Sequence, residues 1–381
     1  MERTNQPAPL KGLRVLDMSS GVAGQFAARL LADWGADVIL VEPPDGAATR
    51  RVPLGGLGEE SGDVSPLFFH LNTGKRVAAV DRAQQPGARV VHRLAERADV
   101  VIAERDDEEI LSIATHSPRL VVAVVRDFAS VGPYAHWVGS EMIHQALSGL
   151  MNTTGKRERQ PLFGFGNRAY YSAGAATAVA VLAAVRLRDS TGRGQTVDIS
   201  VHEVAASMSQ NLVTQFAYSG ANPIRGKYVG ASGVSRVADG WIVLFCPAGR
   251  WPDLATEFGL DELRSDPRFA TFDQLVANWD AGLAALRPVL EAMPAVRAVE
   301  AVQRARCMAA KVLTPIDVLS STHLSARDYW CHVGAGSGRR LALGPMFRLT
   351  SGWRPTPEPA RSASNMDVGW AEVGTEPAER A

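Results

Sequence analysis

Short apolar runs recur along the first 200 residues, and patterns typical of helices separate most of them. The runs cover residues 13–17, 37–42, 77–81, 99–104 and 120–125, and residues 195–201 form a further predicted strand. Continuous apolar runs of this length are typical of strands buried on both faces of a parallel sheet. Helical patterns cover residues 25–34, 88–97, 141–150, 173–188 and 203–217. The alternation predicts an α/β fold built on a doubly wound parallel sheet.

The turn after the first predicted strand contains only two glycines, Gly21 and Gly24. A dinucleotide-binding turn needs G-x-G-x-x-G, whose glycines allow the backbone to approach the pyrophosphate. Because that spacing is absent, the sequence does not predict an NAD site.

The sequence pattern changes near residue 222, and Pro223, Gly226, Gly230 and Gly233 suggest a linker. A strand at 241–246 and a helix-rich section with an amphipathic pattern at 281–291 follow it. We therefore predict three parts: a large domain at 1–221, a smaller α+β domain at 222–325, and residues 326–381, which return to the large domain and end in a polar tail. The tail from residue 362 is expected to be disordered.

Composition narrows the possible partners. The 40 basic residues balance the 40 acidic ones, so charge gives no indication of nucleic-acid or membrane-surface binding. The three cysteines are widely spaced, which predicts neither disulfides nor a metal site. The first residues lack a signal-peptide pattern, and the longest apolar run is too short for a membrane span of roughly 20 residues. A cytoplasmic protein is expected.

We interpret residues 161–174, Pro-Leu-Phe-Gly-Phe-Gly-Asn-Arg-Ala-Tyr-Tyr-Ser-Ala-Gly, as a reaction-centre loop. The loop contains no carboxylate and no thiol. The position expected for a nucleophile holds Tyr170. A phenol has a pKa of about 10 and is mostly protonated at neutral pH.

Six motifs together resemble the family III CoA-transferases, the group of formyl-CoA transferase, carnitine CoA-transferase and α-methylacyl-CoA racemase. They lie at residues 13–24, 31–44, 72–76, 145–151, 191–198 and 239–243. The resemblance covers roughly residues 8–357 and depends on the order and spacing of the motifs rather than on any one of them.

The resemblance implies a Rossmann-like large domain and a smaller domain, in two chains interlocked as rings. It also implies that acyl-CoA and a carboxylic acid are the substrates. In the transferases of this group an Asp attacks the thioester carbonyl and forms a mixed anhydride and then an aspartyl-CoA thioester. A carboxylate is a competent nucleophile at neutral pH, and its acyl product stays activated.

This sequence departs from the family pattern at the reactive positions. The catalytic Asp lies four residues before a Gly, and here Gly174 places Tyr170 at that position. The racemase His position holds Ser140, which is followed by Glu141. By family position, Glu141 and Glu203 are the nearest carboxylates that could replace the Asp.

Two segments remain as the best candidates to contact the CoA adenosine and phosphates. One is the turn formed by Ser20, Gly21, Val22 and Ala23. The other is Asn72 with the Lys75–Arg76 pair, because Lys and Arg suit phosphate by charge and geometry. The alternative interpretation of both segments is a surface turn with solvated cations.

Three functions remain open. The first is the subunit without the Asp in a heteromeric CoA-transferase, whose paralogous partner carries it. The second is a degenerate acyl-CoA-binding or regulatory protein. The third is an altered acyl-CoA reaction at the same site, for instance with Tyr170 as an acid or base.

Overall fold

The computed structural model describes residues 7–53, 65–104, 108–222, 225, 230–334, 339–350, 353–355, 358–362 and 369–370. These residues belong to two compact units. One comprises residues 1–225 and 327–381, and the other comprises Gly226–Ala326. The predicted domain limits at 222 and 325 stay predictions. The linker positions 223 and 226 and almost all of the tail after 362 lie outside the described residues.

A seven-stranded parallel sheet forms the centre of the first unit and confirms the predicted α/β fold. Its strands are β1 (Arg14–Asp17), β2 (Asp37–Glu42), β3 (Arg76–Ala79), β4 (Val100–Glu104), β5 (Val121–Arg126), β6 (Thr196–Ser200) and β12 (Arg361–Ser362). The order is β12-β3-β2-β1-β4-β5-β6. The chain winds outward in both directions from β1 and β4, so the carboxyl ends of these two strands form the switch point where such sheets bind ligands.

Nine helices of the first unit cover or flank this sheet within the described part of the chain. They are α1 (Val22–Asp33), α2 (Pro66–Asn72), α3 (Gln85–Arg97), α4 (Glu108–His116), α5 (Glu141–Leu147), α6 (Leu150–Thr153), α7 (Arg168–Thr191), α8 (Val201–Ser207) and α9 (Gln210–Ser219). Helices α1 and α7 share a core of small residues. A Cβ at Gly174 would lie 2.6 Å from the carbonyl oxygen of Ala23, so the glycine permits this close approach.

Three helical boundaries differ from the sequence-based expectation. Residues 168–174 of the predicted loop are helical and begin α7. The helix predicted at 141–150 is split at Gly149, which has φ of 84° and lies in the left-handed region. The helix predicted at 203–217 is two helices, α8 and α9, because the backbone turns at Met208 and Ser209.

The described C-terminal residues pack on the first unit. Strand β10 (Trp330–Val333) pairs with β11 (Arg340–Leu343), and β12 extends the sheet beside β3. The Trp370 side chain is buried in the core beneath α3, and its Nε1 donates to the carbonyl of Leu94.

The second unit is an α+β arrangement with its own core. It contains β7 (Ala231–Val237), β8 (Gly240–Cys246) and β9 (Met308–Lys311) as an antiparallel sheet. Its helices are α10 (Trp251–Glu257), α11 (Phe272–Ala277), α12 (Trp279–Glu291), α13 (Ala295–Arg304), α14 (Pro315–Leu319) and α15 (Thr322–Ala326). Gly233, expected in a linker, lies inside β7. Alternate residues of that strand face the core, and Gly233 is one of them.

Among the described helices, α7 is the one with the length and composition of a membrane span. One of its faces packs against α1 in the core of the first unit. Length and composition alone therefore do not identify α7 as a membrane span.

Candidate active site

A cavity of about 660 Å³ opens at the carboxyl ends of β1, β4 and β5. Its walls include the turn Ser20–Ala23, Glu104, Asp127 and Tyr170. The cavity therefore occupies the switch point of the sheet, and it brings the turn predicted to contact CoA to the same place as the expected nucleophile position.

The turn at the start of α1 holds a carboxylate of the chain itself. The Glu104 Oε2 accepts from the backbone N–H and the hydroxyl of Ser20, at 3.0 and 2.8 Å, and its Oε1 accepts from the Gly21 N–H at 2.9 Å. Burial raises the pKa of Glu104, and the hydrogen bonds from Ser20 and Gly21 oppose that rise. The backbone N–H groups of Ser20 and Gly21 are therefore already hydrogen-bonded. The other two residues predicted to contact CoA, Val22 and Ala23, give the cavity mainly an apolar wall.

A second carboxylate, Asp127, lies directly beside Tyr170. The phenol O–H donates to Asp127 Oδ1 at 3.0 Å, the His144 Nε2 lies 3.1 Å from the same oxygen, and the Gly139 N–H donates to Oδ2 at 2.9 Å. The hydrogen bond from His144 is the main cause that lowers the pKa of Asp127. Burial, followed by the charge of Asp127, raises the pKa of Tyr170 above its ordinary value. Tyr170 is therefore a protonated phenol at neutral pH, and Asp127 is the ionised group of the pair.

Glu141 stabilises the start of α7. Its two oxygens accept from the Ala169 N–H at 2.9 and 3.0 Å, and Oε2 also accepts from the Tyr170 N–H at 3.3 Å. Gln145 donates to Oε1 at 2.6 Å. Ser140, expected at the racemase His position, is the N-cap of α5 and accepts from the Ile143 N–H. The Glu141 carboxylate takes the place of an N-cap for α7, which explains why this helix begins before the predicted residue 173.

Replacing Glu141 by Gln is expected to lower the free energy of unfolding by about 1–2 kcal/mol, because one acceptor of buried N–H groups becomes a donor and the charge at the helix N-terminus is lost. Glu203→Gln is the matched control. Glu203 is exposed in the first turn of α8, so its replacement is expected to change stability by less than about 0.5 kcal/mol. Urea unfolding of the two variants measures the difference, and equal effects would contradict the capping role.

Lys75 and Asn72 belong to a buried polar network. The Lys75 Nζ donates to Asp17 Oδ2, to the Gln25 carbonyl and to Asn72 Oδ1, each at 2.8 Å. The Lys75 side chain is fully buried, and burial lowers its pKa while Asp17 opposes that change. Asn72 donates to Gln25 Oε1, which also accepts from Thr49 of the cavity wall. The network links β1, α1 and α2 behind the cavity. Lys75 is therefore not the solvated cation of the alternative interpretation.

Arg76 lies at the amino end of β3, opposite the carboxyl ends of the strands where the cavity opens. Its guanidinium makes a bidentate pair with Asp37 and donates to the carbonyl of Gly369. Neither Arg76, Lys75, Asn72 nor Glu203 lines the main cavity. Their contact with CoA or catalytic role stays a prediction.

A second cavity of about 340 Å³ lies beside the first, and Ser20 lines both. It runs along the carboxyl ends of β1, β2 and β3. Glu42 on its wall is held by Arg50 in a bidentate pair at 2.7 and 2.8 Å. Together the two cavities follow the edge of the sheet on both sides of the first turn.

Two carboxylates of the site were not predicted from the sequence. Glu104 ends β4 and Asp127 follows β5, so both lie at carboxyl ends of central strands. That position was the available signal, because the carboxyl ends of parallel strands carry most functional side chains of such sheets. Among the described residues no group of three or more His, Cys, Asp or Glu could hold a metal ion.

Known proteins resemble this chain over most of its length. The sequence profile of CoA-transferase family III matches residues 10–364. The succinate–glutarate CoA-transferase of Agrobacterium fabrum is 32% identical over 292 residues, 72% of each chain. The BbsE subunit of succinyl-CoA:(R)-benzylsuccinate CoA-transferase from Thauera aromatica is 32% identical over 253 residues, 64% of this chain and 62% of that one.

A solved structure gives the same result for the fold. The crystal structure of a CAIB/BAIF family protein from Brucella suis superposes with a TM-score of 0.85 and 26% identity, and covers 95% of this chain and 97% of that one. Fold, sequence profile and relatives therefore agree with the resemblance stated above. The chain belongs to CoA-transferase family III.

Proposed function

We propose that this chain binds an acyl-CoA thioester along the carboxyl edge of its parallel sheet. The thioester and acyl group would occupy the main cavity beside Tyr170, and the nucleotide part of CoA would extend into the second cavity. Family membership and the position of both cavities support this assignment. Ser20 lies where the two cavities meet, so the turn at the start of α1 would be next to the middle of the ligand.

Within CoA transfer, we propose that the chain is the subunit that lacks the catalytic carboxylate. The observation that carries this proposal is the protonated phenol of Tyr170 in the cavity, at the position where we expect the family Asp from the spacing to Gly174. Glu141 is used as a helix cap and Glu203 is outside the cavity, so neither is available as a replacement in this arrangement.

The partner would be a family paralogue that carries the Asp, in an interlocked pair of chains in the cytoplasm. The name of the BbsE relative identifies it as one subunit of a CoA-transferase. That name supports a heteromeric arrangement as a form in which members of this family occur.

Asp127 favours a second candidate, an altered acyl-CoA reaction at the same site. The phenol of Tyr170 is held protonated in the cavity by an adjacent ionised carboxylate. Such a phenol can donate a hydrogen bond or a proton to an oxyanion that forms on a thioester carbonyl. In this reaction the lone chain would be active.

Exchange of CoA between acyl-CoA and a free carboxylic acid separates the two candidates. The assay uses the full chain alone, an Asp-bearing family paralogue from the same genome alone, and the two co-expressed. The subunit proposal expects activity in the co-expressed sample and none from this chain alone. Activity of the lone chain that Tyr170→Phe abolishes would overturn it in favour of the altered reaction.

A further inference from the structure

The charges around the main cavity restrict the acyl group that it can hold. Asp127 and Glu104 both line the cavity, and together with Glu141 they raise the pKa of the Tyr170 phenol through their charges, so all three act on the same point. Like charges close together in a poorly solvated site repel strongly.

Two sources of positive charge beside the cavity are already engaged by carboxylates. Arg126 lines the cavity, but its Nε donates to Asp198 at 3.0 Å, and this pair is electrically balanced. The positive end of α7 is occupied by Glu141. His136 is exposed at the cavity wall.

Asp127 keeps its negative charge because its three partners are arranged to stabilise the anion. Tyr170 and Gly139 donate to it as neutral groups. His144 is fully buried, and its Nδ1 has no partner. The His144 Nε2 lies 3.1 Å from Asp127 Oδ1, and this hydrogen bond holds the pKa of Asp127 below its ordinary value. The side chain of Asp127 is 26% exposed, so it faces the space that an acyl group would occupy.

Five apolar or aromatic side chains form part of the cavity wall. Phe128, Val125 and Val201 are buried residues that line the cavity, and Trp137 and Val138 line it with exposed side chains. These side chains suit a hydrocarbon chain or ring.

We propose that this cavity selects acyl-CoA thioesters whose acyl group is apolar and uncharged, and that Asp127 excludes acyl groups ending in a carboxylate. The inference rests on the proposed binding of acyl-CoA in this cavity. It separates this chain from relatives such as the succinate–glutarate CoA-transferase, whose name specifies dicarboxylates.

Titration calorimetry with CoA, butyryl-CoA and succinyl-CoA tests this proposal on the full chain. The two acyl groups have the same carbon chain length and differ in the terminal carboxylate. Butyryl-CoA is expected to bind at least about tenfold more tightly than succinyl-CoA. Asp127→Asn keeps the shape and removes the charge, and it is expected to reduce that ratio to about threefold or less. Glu96→Gln, which removes an exposed charge on α3, is expected to leave the ratio unchanged.

The outcomes distinguish this inference from the proposed function. If CoA itself fails to bind, both are overturned. If CoA binds and the wild-type chain takes succinyl-CoA as tightly as butyryl-CoA, only the selectivity is overturned. The wild-type comparison decides this point even if Asp127→Asn does not fold. A ratio that persists in a folded Asp127→Asn variant would overturn the role of Asp127.

Discussion

Replacing Lys75 by Met is expected to lower the free energy of unfolding by about 3–5 kcal/mol, the cost of leaving one partner of a buried ion pair alone. The change leaves the fully buried Asp17 carboxylate without its cation. It also removes the donor to the Gln25 carbonyl and to Asn72 Oδ1. Met has nearly the length of Lys, so the loss of charge and hydrogen bonds dominates over any cavity. Urea unfolding followed by circular dichroism measures the effect.

Lys156→Met is the matched control, because Lys156 is an exposed lysine on the same unit. Its replacement is expected to change stability by less than about 0.5 kcal/mol. The double variant Lys75→Met with Asp17→Asn is expected to be less destabilised than the sum of the single changes, because the uncompensated charge is gone. If Lys75→Met lowers the free energy of unfolding by less than about 1 kcal/mol, the Lys75–Asp17 pair does not have the stabilising role described here.

The sheet could be predicted from the sequence because its strands are local signals. Five of the six principal strands are largely buried apolar runs, whereas β6 is buried only at its last two residues. The observed limits differ from the predicted ones by at most two residues. The start of α7 could not be predicted in this way. It depends on the Glu141 carboxylate, which lies 28 residues before the Ala169 N–H that it accepts from.

The chemistry of the site shows the same division. Tyr170 could be singled out because the family resemblance places the expected catalytic position by its spacing from Gly174. The role of Asp127 could not be predicted, because it depends on contacts with His144 of α5 and Tyr170 of α7. These residues lie 17 and 43 positions away in the sequence. Lys75 looks like a solvated cation in sequence, since its partner Asp17 is 58 residues away. Local patterns predict elements, whereas burial and ion pairing depend on contacts that no short stretch contains.

Replacing Tyr170 by Asp is expected to create a chain that becomes acylated by butyryl-CoA. Position 170 lies in the first turn of α7 and lines the cavity proposed to hold the thioester. A carboxylate there can attack the thioester carbonyl carbon. The C–S bond breaks, CoA leaves as the thiolate, and a mixed anhydride forms on the new side chain. We expect acylation roughly 10³-fold or more above the wild-type chain, the scale on which a catalytic nucleophile changes a rate.

Tyr170→Asn is the matched control, since it has nearly the same shape as the Asp variant and no nucleophilic oxyanion. The most direct measurement is intact-protein mass spectrometry after incubation of the three chains with butyryl-CoA and hydroxylamine, which converts an activated carboxyl group to a hydroxamate. If the cavity is an acyl-CoA site that lacks only a nucleophilic carboxylate at position 170, the hydroxamate forms at that position in Tyr170→Asp alone. A folded, CoA-binding Tyr170→Asp chain without hydroxamate, or a wild-type chain that is itself trapped, would contradict this account.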